Sequence, residues 1–485
     1  MTIASDSVRG TSLAQAEADV SSARWVVATL TALAAFAITA FAPGVLNDGD
    51  TYWHITAGQW MLQHHAILTA DPFSYTAAGT PWHAQEWLSE VLMALVYGVG
   101  GWSAVLLLSA TAAASAAGVF AFHLARRLAS TALLLAIVVS LACMAPSLLA
   151  RPHLLALPML ALWTAGLVAA RSEGRAPSWW LLPVMTVWAN LHGGFMLGLA
   201  LAGALGLEAA IESKDRRIEQ LRGWILFGLA ATLAATITPH GVDGLIFPFR
   251  LMGMGGLAYI GEWQSTSFAT LQPLEIAILL ALFVFATRGA KLPPVRFAIA
   301  LLFLHLALQH ARHQIVFAIV VPLLLADSLG EAFRGVGAMR LPDTIRKQTI
   351  ATIALVSILM LGSLRMTVQT TRVDSAVSPI TALAHVPPDL ARQPVLNAYA
   401  FGGYLIFNGV RPFIDSRADL YGDKFLDTYA AIIRPDKSVL DATLKKYGIR
   451  WTILEPESPA NALLDAMPSW RRVYADRFAV VHEAY

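Results

Sequence analysis

The sequence has little charge and almost no cysteine. Asp, Glu, Lys and Arg make up 14% of the 485 residues, against roughly 25% in an ordinary soluble protein, which excludes a soluble globular enzyme and a disordered chain. Cys143 is the single cysteine, so no intrachain disulfide can form and a disulfide-built secreted domain is excluded. The net charge is only +2, so the chain has no bulk basic field that would bind nucleic acid.

Hydrophobic residues make up 56% of the sequence and fall in long uninterrupted runs. A helix needs about 20 apolar residues to cross a bilayer, so these runs predict a polytopic α-helical membrane protein with about eleven transmembrane helices. The spans are expected at residues 25–46, 102–125, 128–149, 152–170, 177–193, 194–212, 220–238, 271–287, 295–310, 313–329 and 348–367.

The basic residues between the spans predict the orientation of the chain. Alternate connections carry Arg and Lys, which the positive-inside rule places in the cytoplasm: Arg126, Arg127, Arg171, Arg175, Lys214, Arg216, Arg217, Arg288, Lys291, Arg334, Arg340, Arg346 and Lys347. This predicts a cytoplasmic segment at 1–24, a transmembrane module at 25–368 and an outer domain at 369–485. The first 24 residues lack the basic start and cleavage site of a signal peptide, so the first span is expected to be retained.

The opposite connections are rich in histidine, acids and tryptophan. Nine of the 13 histidines are expected in outer loops or at the outer ends of spans: His54, His64, His65, His83, His153, His192, His240, His310 and His313. Histidines suit membrane interfaces, which would explain this position without a function. Ionisable groups drawn from many helices to one face are costly at membrane depth, however, and also indicate a functional site.

The first outer loop, residues 47–101, begins with two carboxylates placed directly after the first span. Asp48 and Asp50 stand in Asn47-Asp48-Gly49-Asp50. Asp50 is expected to cap an interfacial helix at about 51–65, with His54 one turn further along. Both acids can equally be ordinary turn and capping residues.

A second interfacial helix is expected at about 84–98. His83, Glu86 and Glu90 have helical spacing and are predicted to share one of its faces. The alternative is a solvated helix face without a binding role.

Further polar residues stand at tight outer hairpins and in the long outer loop at 239–270. The candidates for substrate binding are His83, Glu86, Arg151, His153, Asn190, His192, His240, Glu262, His310, Arg312 and His313. A single arginine at such a place is usually an interfacial anchor. Two arginines with several histidines on one face favour an anion site, because guanidinium matches phosphate in bidentate geometry. Arg312 is the preferred phosphate partner and Arg151 the next.

A divalent cation such as Mg²⁺ or Mn²⁺ is a competing interpretation of the first loop. Asp48, Asp50, His83 and Glu86 could supply oxygen and imidazole ligands. No HxxxH or HExxH spacing occurs, so no metal motif is met.

The tail from about 374 has the composition of a soluble domain. Strands are expected near 395–397, 412–415, 451–455 and 478–482, with helices near 423–433, 438–447 and 459–466. This pattern predicts a small α/β domain of about 110 residues. The charged run Asp415-Ser416-Arg417-Ala418-Asp419 either forms a salt-bridged turn or contacts an acceptor substrate or the membrane cavity.

The first loop resembles that of the GT-C superfamily, polytopic membrane glycosyltransferases that use lipid-phosphate-linked sugars. The resemblance rests on Asn47-Asp48-Gly49-Asp50 directly after the first span, the two interfacial helices and the outer-side tail. It implies a polyprenyl-phosphate sugar as donor, a glycan, lipid or protein as acceptor, and inversion at the anomeric carbon. It also implies residence in a membrane, here the bacterial cytoplasmic membrane, with the tail domain on the periplasmic side.

Within that resemblance, Asp50 is the preferred general base, with Asp48 and His54 beside it, and the arginines stabilise the leaving phosphate. Three alternatives stay open, one of them a non-catalytic assembly protein whose tail binds a partner. A lipid-linked glycan polymerase or ligase would use the same outer face. A transporter or flippase of envelope precursors would have polar residues near mid-span and internal repeats, and neither is evident in the sequence.

Overall fold

The computed structural model describes residues 23–212, 217–334, 336, 347–434 and 436–485. Most of the predicted N-terminal segment 1–24 lies outside the described residues, as do Lys214, Arg216, Arg340 and Arg346 among the predicted cytoplasmic cations.

The membrane part consists of apolar helices, most of which follow the predicted spans. They are α1 (Ala23–Phe41), α2 (Asp50–His64), α3 (Trp87–Leu124), α4 (Ser130–Met144), α5 (Pro152–Ser172), α6 (Leu181–Leu191), α7 (Phe195–Glu212), α8 (Arg217–Ala235), α9 (Gly241–Met252), α10 (Pro273–Arg288), α11 (Pro294–Gln309), α12 (Gln314–Leu324), α13 (Ala326–Ala332) and α14 (Lys347–Thr367).

The predicted spans and the observed helices agree in position more than in length. Each of the eleven predicted spans overlaps a helix. Among the described residues, however, only α1, α3, α5, α7 and α14 are long and apolar enough to cross a membrane, and a sixth span is formed if α12 and α13, bent by 64°, count as one. The chain is a multi-pass membrane protein, and the count of eleven spans stays a prediction.

Helix α3 combines two predicted elements. Its backbone is not helical at Gly100 and Gly101, and Gly101 has a φ of 57° and a ψ of −146°, a conformation open to glycine. This kink separates an N-terminal part, which matches the predicted interfacial helix at 84–98, from the span predicted at 102–125. The kink therefore marks the boundary between the first loop and the second predicted span.

Small residues allow the helices near the site to approach closely. A Cβ at Gly58 in α2 would lie 2.0 Å from the carbonyl oxygen of Glu90 in α3, so only glycine permits this contact. Alanines of α3 such as Ala113 and Ala116 are fully buried in the main core, as is usual where membrane helices pack without a hydrophobic driving force. Helix α2 is thereby fixed on α3, and its first residue, Asp50, is fixed with it.

Ion pairs join residues at the end of the bundle predicted to be cytoplasmic. Buried Glu208 accepts a hydrogen bond of 2.9 Å from Arg296. Arg127 donates to Asp327 at 2.7 Å, and Arg296 lies 3.5 Å from the same carboxylate. The contacts bring together connections that the positive-inside rule assigns to one side, as the predicted topology requires.

The tail contains helices α15 (Ile380–Ala384), α16 (Pro388–Ala391), α17 (Gly402–Phe407), α18 (Ala418–Ile433), α19 (Lys437–Lys446) and α20 (Ala460–Asp465), with strands β1 (Val395–Asn397), β2 (Trp451–Leu454), β3 (Trp470–Ala475) and β4 (Val480–Ala484). The sheet order is β1-β2-β4-β3. Strands β1 and β2 are parallel, and the other pairs are antiparallel.

Six of the seven predicted elements of the tail overlap an observed element, whereas the strand predicted at 412–415 is absent and α15, α16, α17 and β3 were not predicted. Residues 412–415 do not form a strand, although the stretch is apolar. Phe413 and Ile414 instead bond through their backbone N–H groups to the Asn397 side chain. Strand β3 was not predicted, because Arg471 and Arg472 interrupt its apolar pattern; its burial pattern is mostly exposed.

Candidate active site

Asp48 and Asp50 meet Arg151 at the end of the bundle opposite the ion pairs of Glu208 and Asp327. Arg151 precedes α5 in an extended conformation, because Pro152 occupies the first helical position. Its guanidinium pairs with Asp50 and lies 3.4 Å from Asp48. Acids from the start of the chain and an arginine from the third predicted hairpin therefore share one partly buried cluster.

Glu262 links this cluster to a second arginine. Glu262 lies in a short 3₁₀ turn, Gly261–Trp263, and accepts from Arg151 at 2.6 Å and from Arg312 at 3.0 Å. The Arg312 guanidinium also stacks over the Trp263 ring at 4.5 Å. One carboxylate thus bridges the two arginines that the sequence indicated for phosphate binding.

Burial and charge give the acids of this cluster different proton affinities. Burial raises the pKa of Asp48 to about 6, although Arg151 opposes the rise. Burial would also raise the pKa of Glu262, but the guanidinium groups of Arg151 and Arg312 outweigh it and lower the value to about 2. Glu262 is therefore held as a carboxylate, while Asp48 gains or loses a proton near neutral pH.

Asp50 does not cap α2 as the sequence predicted. The N-terminal residue of that helix makes no side-chain cap, and it is Asp48 whose Oδ1 accepts from the backbone N–H of Asp50 at 2.7 Å. The Asp50 carboxylate turns away to Arg151 and to the hydroxyl of Ser416. Its position is therefore set by tertiary contacts.

A second cluster of acids and imidazoles lies beside the first. His54 Nδ1 lies 3.1 Å from Glu90 Oε1, and its Nε2 lies 3.7 Å from Glu86. The other Glu86 oxygen lies 3.3 Å from His192 Nε2. His192 Nδ1 accepts from the Gly194 N–H at 3.0 Å, so Nε2 carries the hydrogen of the neutral ring.

Burial dominates the protonation of this second cluster. It lowers the pKa of His54 and His192 well below the ordinary histidine value, and the charge of Arg151 adds to the effect at both rings. It raises the pKa of Glu86 to about 7, although Arg151 and Arg312 oppose the rise. The imidazoles are therefore neutral at pH 7, and Glu86 is the group that titrates there.

The prediction that His83, Glu86 and Glu90 share one helix face is wrong for His83, whereas Glu86 and Glu90 both approach His54. Helix α3 begins only at Trp87. Residues 81–86 are not helical because they belong to the first loop, where the Trp82 N–H donates to the Thr69 carbonyl. His83 instead pairs with His240 at 3.2 Å.

Some of the remaining predicted residues support the site, and others make structural contacts. His310 Nδ1 donates to the Trp263 carbonyl at 2.6 Å, and its ring lies 5.6 Å from that of His313, so both support the Arg312 turn. His153 donates to the Ser147 carbonyl at 2.8 Å. Asn190 bonds to the Trp87 indole and to two backbone carbonyls, which engages both ends of its amide.

The tail contributes residues that were not among the predicted site residues. Arg417 is buried and donates to Asp415 in its own turn at 2.7 Å and to Asp71 in the first loop at 2.8 Å. Its guanidinium lies 4.8 Å from the Trp82 ring. The turn is therefore salt-bridged, as one sequence interpretation expected, and it is also docked on the first loop; contact with an acceptor or the membrane cavity stays a prediction. The sequence signal was the charged run 415–419.

The four proposed metal ligands do not form one donor set. Asp48 and Asp50 face Arg151, Glu86 faces two imidazoles, and His83 faces His240. Within the part of the chain that the structure describes, no group of three or more His, Cys, Asp or Glu side chains could hold a metal ion. These residues do not fit the predicted divalent cation.

No protein-family model matches the sequence, and no curated protein matches it. Solved structures do. The archaeal oligosaccharyltransferase AglB from Archaeoglobus fulgidus, in complex with an inhibitory peptide and a dolichol-phosphate, is similar over 90% of this chain and 69% of its own, with 10% identity and a TM-score of 0.50. ArnT from Cupriavidus metallidurans is similar over 94% of this chain and 97% of its own, both bound to undecaprenyl phosphate (14% identity, TM-score 0.52) and in the apo state (15%, 0.51). The chain therefore shares the fold of AglB and ArnT, in agreement with the fold that the resemblance of its first loop implies.

Proposed function

We propose that this protein is a membrane glycosyltransferase that moves a sugar from a polyprenyl-phosphate donor to a glycan, lipid or protein acceptor. The fold supports the class, since ArnT is a structure with undecaprenyl phosphate bound and AglB one with a dolichol-phosphate. The observation that carries the proposal is the contact of Asp50 with Arg151. It joins a base and a phosphate-binding cation in one partly buried site.

Asp50 acts as the general base in the proposed reaction. Its carboxylate takes the proton of the acceptor hydroxyl as that oxygen attacks the anomeric carbon. The bond from the anomeric carbon to the phosphate oxygen breaks, and polyprenyl phosphate leaves with the electron pair. A single displacement of this kind inverts the anomeric configuration. Asp48, which titrates near pH 6, is the neighbouring base.

Arg151 and Arg312 stabilise the leaving phosphate. Both are preorganised donors, and one anion already spans them in the form of the Glu262 carboxylate. The donor phosphate would replace Glu262 between the two guanidinium groups. The Asp48/Asp50 pair would then be released from Arg151 as the phosphate takes over its charge.

The site is proposed to face the outer side of the bacterial cytoplasmic membrane, with the N-terminus in the cytoplasm. The basic connections support this orientation. The Glu86 cluster, with His54, His153 and His192, is placed to line the sugar or acceptor part of the site. His83, Asn190, His240, His310 and His313 support its walls.

Transfer of a whole glycan from the lipid carrier is the second candidate. It is favoured by the likeness to AglB, an oligosaccharyltransferase. The two candidates use the same residues and differ in the size of the group transferred. A donor panel that includes both single sugars and oligosaccharides on undecaprenyl phosphate or diphosphate distinguishes them.

The test is the release of the lipid product by the purified protein in detergent, with that donor panel and an acceptor extract. Native mass spectrometry first identifies any lipid-phosphate that co-purifies. We expect Asp50→Asn to abolish release while the protein stays in the membrane. Asp243→Asn, an exposed acid of α9, is the matched control and should retain activity. Full activity of Asp50→Asn would remove this acid from the mechanism.

A further inference from the structure

We propose that Ser416 of the tail domain is a positioning residue for the catalytic base, so that the tail completes the active site. The proposal rests on the function proposed above. The Ser416 hydroxyl contacts Asp50 Oδ1 across 366 residues of sequence, and no catalytic motif in the sequence pointed to it.

The direction of this hydrogen bond is fixed by a third residue. The Trp53 indole donates to Ser416 Oγ at 2.9 Å. An indole N–H is a donor only, so the serine oxygen accepts there and its own hydrogen is free for another partner. The Asp50 carboxylate can only accept. The order of donation is therefore Trp53 to Ser416 to Asp50.

Ser416 is held in place by buried contacts on both sides. Its neighbours Asp415 and Arg417 form an ion pair with side chains 0% and 1% exposed, and Arg417 continues to Asp71 in the first loop. Tyr399 donates to the Ser416 carbonyl at 3.1 Å. Asp71 and Arg417 anchor the tail to the same loop that carries Asp50, so the serine cannot move away from the base without breaking a buried salt bridge.

The backbones of the two segments are also in close contact. A Cβ at Gly403, in α17 of the tail, would lie 2.1 Å from the carbonyl oxygen of Gly49. Gly49 directly precedes Asp50. The tail therefore fits against the start of α2 at backbone distance, and the contact of Ser416 with Asp50 is part of a continuous interface.

The contact with Ser416 has a chemical consequence for the proposed base. Asp50 has two partners, Arg151 on one oxygen and Ser416 on the other. In the proposed reaction Arg151 turns to the phosphate, and Ser416 is then the contact that keeps the carboxylate oriented towards the acceptor hydroxyl. A misplaced base slows proton transfer without weakening donor binding, so loss of the hydroxyl lowers kcat and leaves the KM for the donor unchanged.

The experiment compares kcat and KM of Ser416→Ala, Ser416→Thr and wild type, using release of undecaprenyl phosphate from whichever donor of the panel the wild type turns over. For Ser416→Ala we expect a loss of about 10-fold in kcat with the KM for the donor unchanged, because a misplaced base slows proton transfer and does not affect donor binding. Ser416→Thr, which keeps the hydroxyl, should restore the wild-type kcat. Ser469→Ala, an exposed serine of the same domain, is the control.

The outcomes separate the two proposals. A wild type that releases lipid from no donor contradicts the proposed function itself. An active wild type whose kcat is unchanged in Ser416→Ala, or whose loss appears in KM alone, overturns the role of Ser416 alone. If Ser416→Ala does not fold, Trp53→Phe tests the same link, because it keeps the hydroxyl but removes the donor that orients it. A smaller loss of kcat at unchanged KM is expected there, and an unchanged kcat overturns the proposal.

Discussion

Arg151 donates a hydrogen bond of 2.6 Å to Glu262 while the same guanidinium pairs with Asp50. One cation thus neutralises both the proposed base and a carboxylate from a distant loop. Glu262 in turn reaches Arg312 at 3.0 Å. In this state the two arginines are saturated by protein acids, so an incoming phosphate must compete with Glu262 for them.

That competition predicts the effect of removing the Glu262 charge. Glu262→Gln should strengthen the binding of undecaprenyl phosphate by roughly 5- to 20-fold, because an amide competes for guanidinium much less well than a carboxylate. Isothermal titration in detergent measures the dissociation constant, and Asp243→Asn serves as the control. Weaker binding in Glu262→Gln would mean that this acid organises the arginines for the donor and does not compete with it.

Arg151 is predicted to be the more important of the two arginines. Arg151→Gln should reduce transfer about 100-fold or more, since a charge-stabilising donor in a preorganised site is lost, and Arg312→Gln should reduce it less. The reduction should appear in kcat as well as in donor binding. Arg250→Gln, an exposed arginine of α9, is the matched control. An equal loss in Arg250→Gln would mean that transfer depends on positive charge near the membrane and not on the position of Arg151 in the site.

The sequence predicted the parts of this site that local patterns encode. Hydropathy and the position of Asp48 and Asp50 after the first span gave the fold, the first loop and helix α2, because these depend on short stretches of chain. The position of Arg151 and Arg312 at the same end of the bundle as Asp48 and Asp50 followed from the same spans. The connection of the two arginines through Glu262 could not be predicted, because it joins loops that are distant in sequence.

The missed features depend on contacts between distant segments. The Arg417–Asp71 pair spans 346 residues, and nothing in either segment specifies its partner. Asp50 was expected to cap its helix, but two tertiary partners outweighed a local preference. His83 and Glu86 have helical spacing without helical structure, because the edge of the loop bonds to Thr69 and delays the start of α3 to Trp87.

The raised pKa of Glu86 predicts how stability depends on pH. Burial raises this pKa to about 7 in the folded protein, whereas an unfolded glutamate has about 4.5. The folded state therefore binds more protons between these values, and the stabilisation is complete below about pH 4.5 and lost as the pH rises through about 7. Between pH 5 and 8 the thermal midpoint of the wild type should fall more steeply than that of Glu86→Gln.

Differential scanning fluorimetry in detergent measures both midpoints over this pH range. Glu173→Gln, a more exposed glutamate, should follow the wild-type curve. Parallel curves for wild type and Glu86→Gln would show that Glu86 titrates near its ordinary pKa in the folded protein. Asp48 has a shift of the same sign, to about 6, so a smaller slope should remain in Glu86→Gln.

Arg417 is predicted to hold the tail on the first loop. Arg417→Met fills the same space but leaves the buried acids Asp71 and Asp415 without their cation, and breaking a buried pair in this way costs about 3–5 kcal/mol. We expect a lower thermal midpoint and faster proteolysis of the segment at 368–379, which connects the membrane part to the tail.

Arg471→Gln removes an exposed pair with Glu483 on the tail surface and should change both readouts little, since such pairs contribute about 1 kcal/mol or less. Equal proteolysis of the two variants would mean that the backbone contact of Gly403 with Gly49 is sufficient to dock the tail, and that the salt bridge only refines its position.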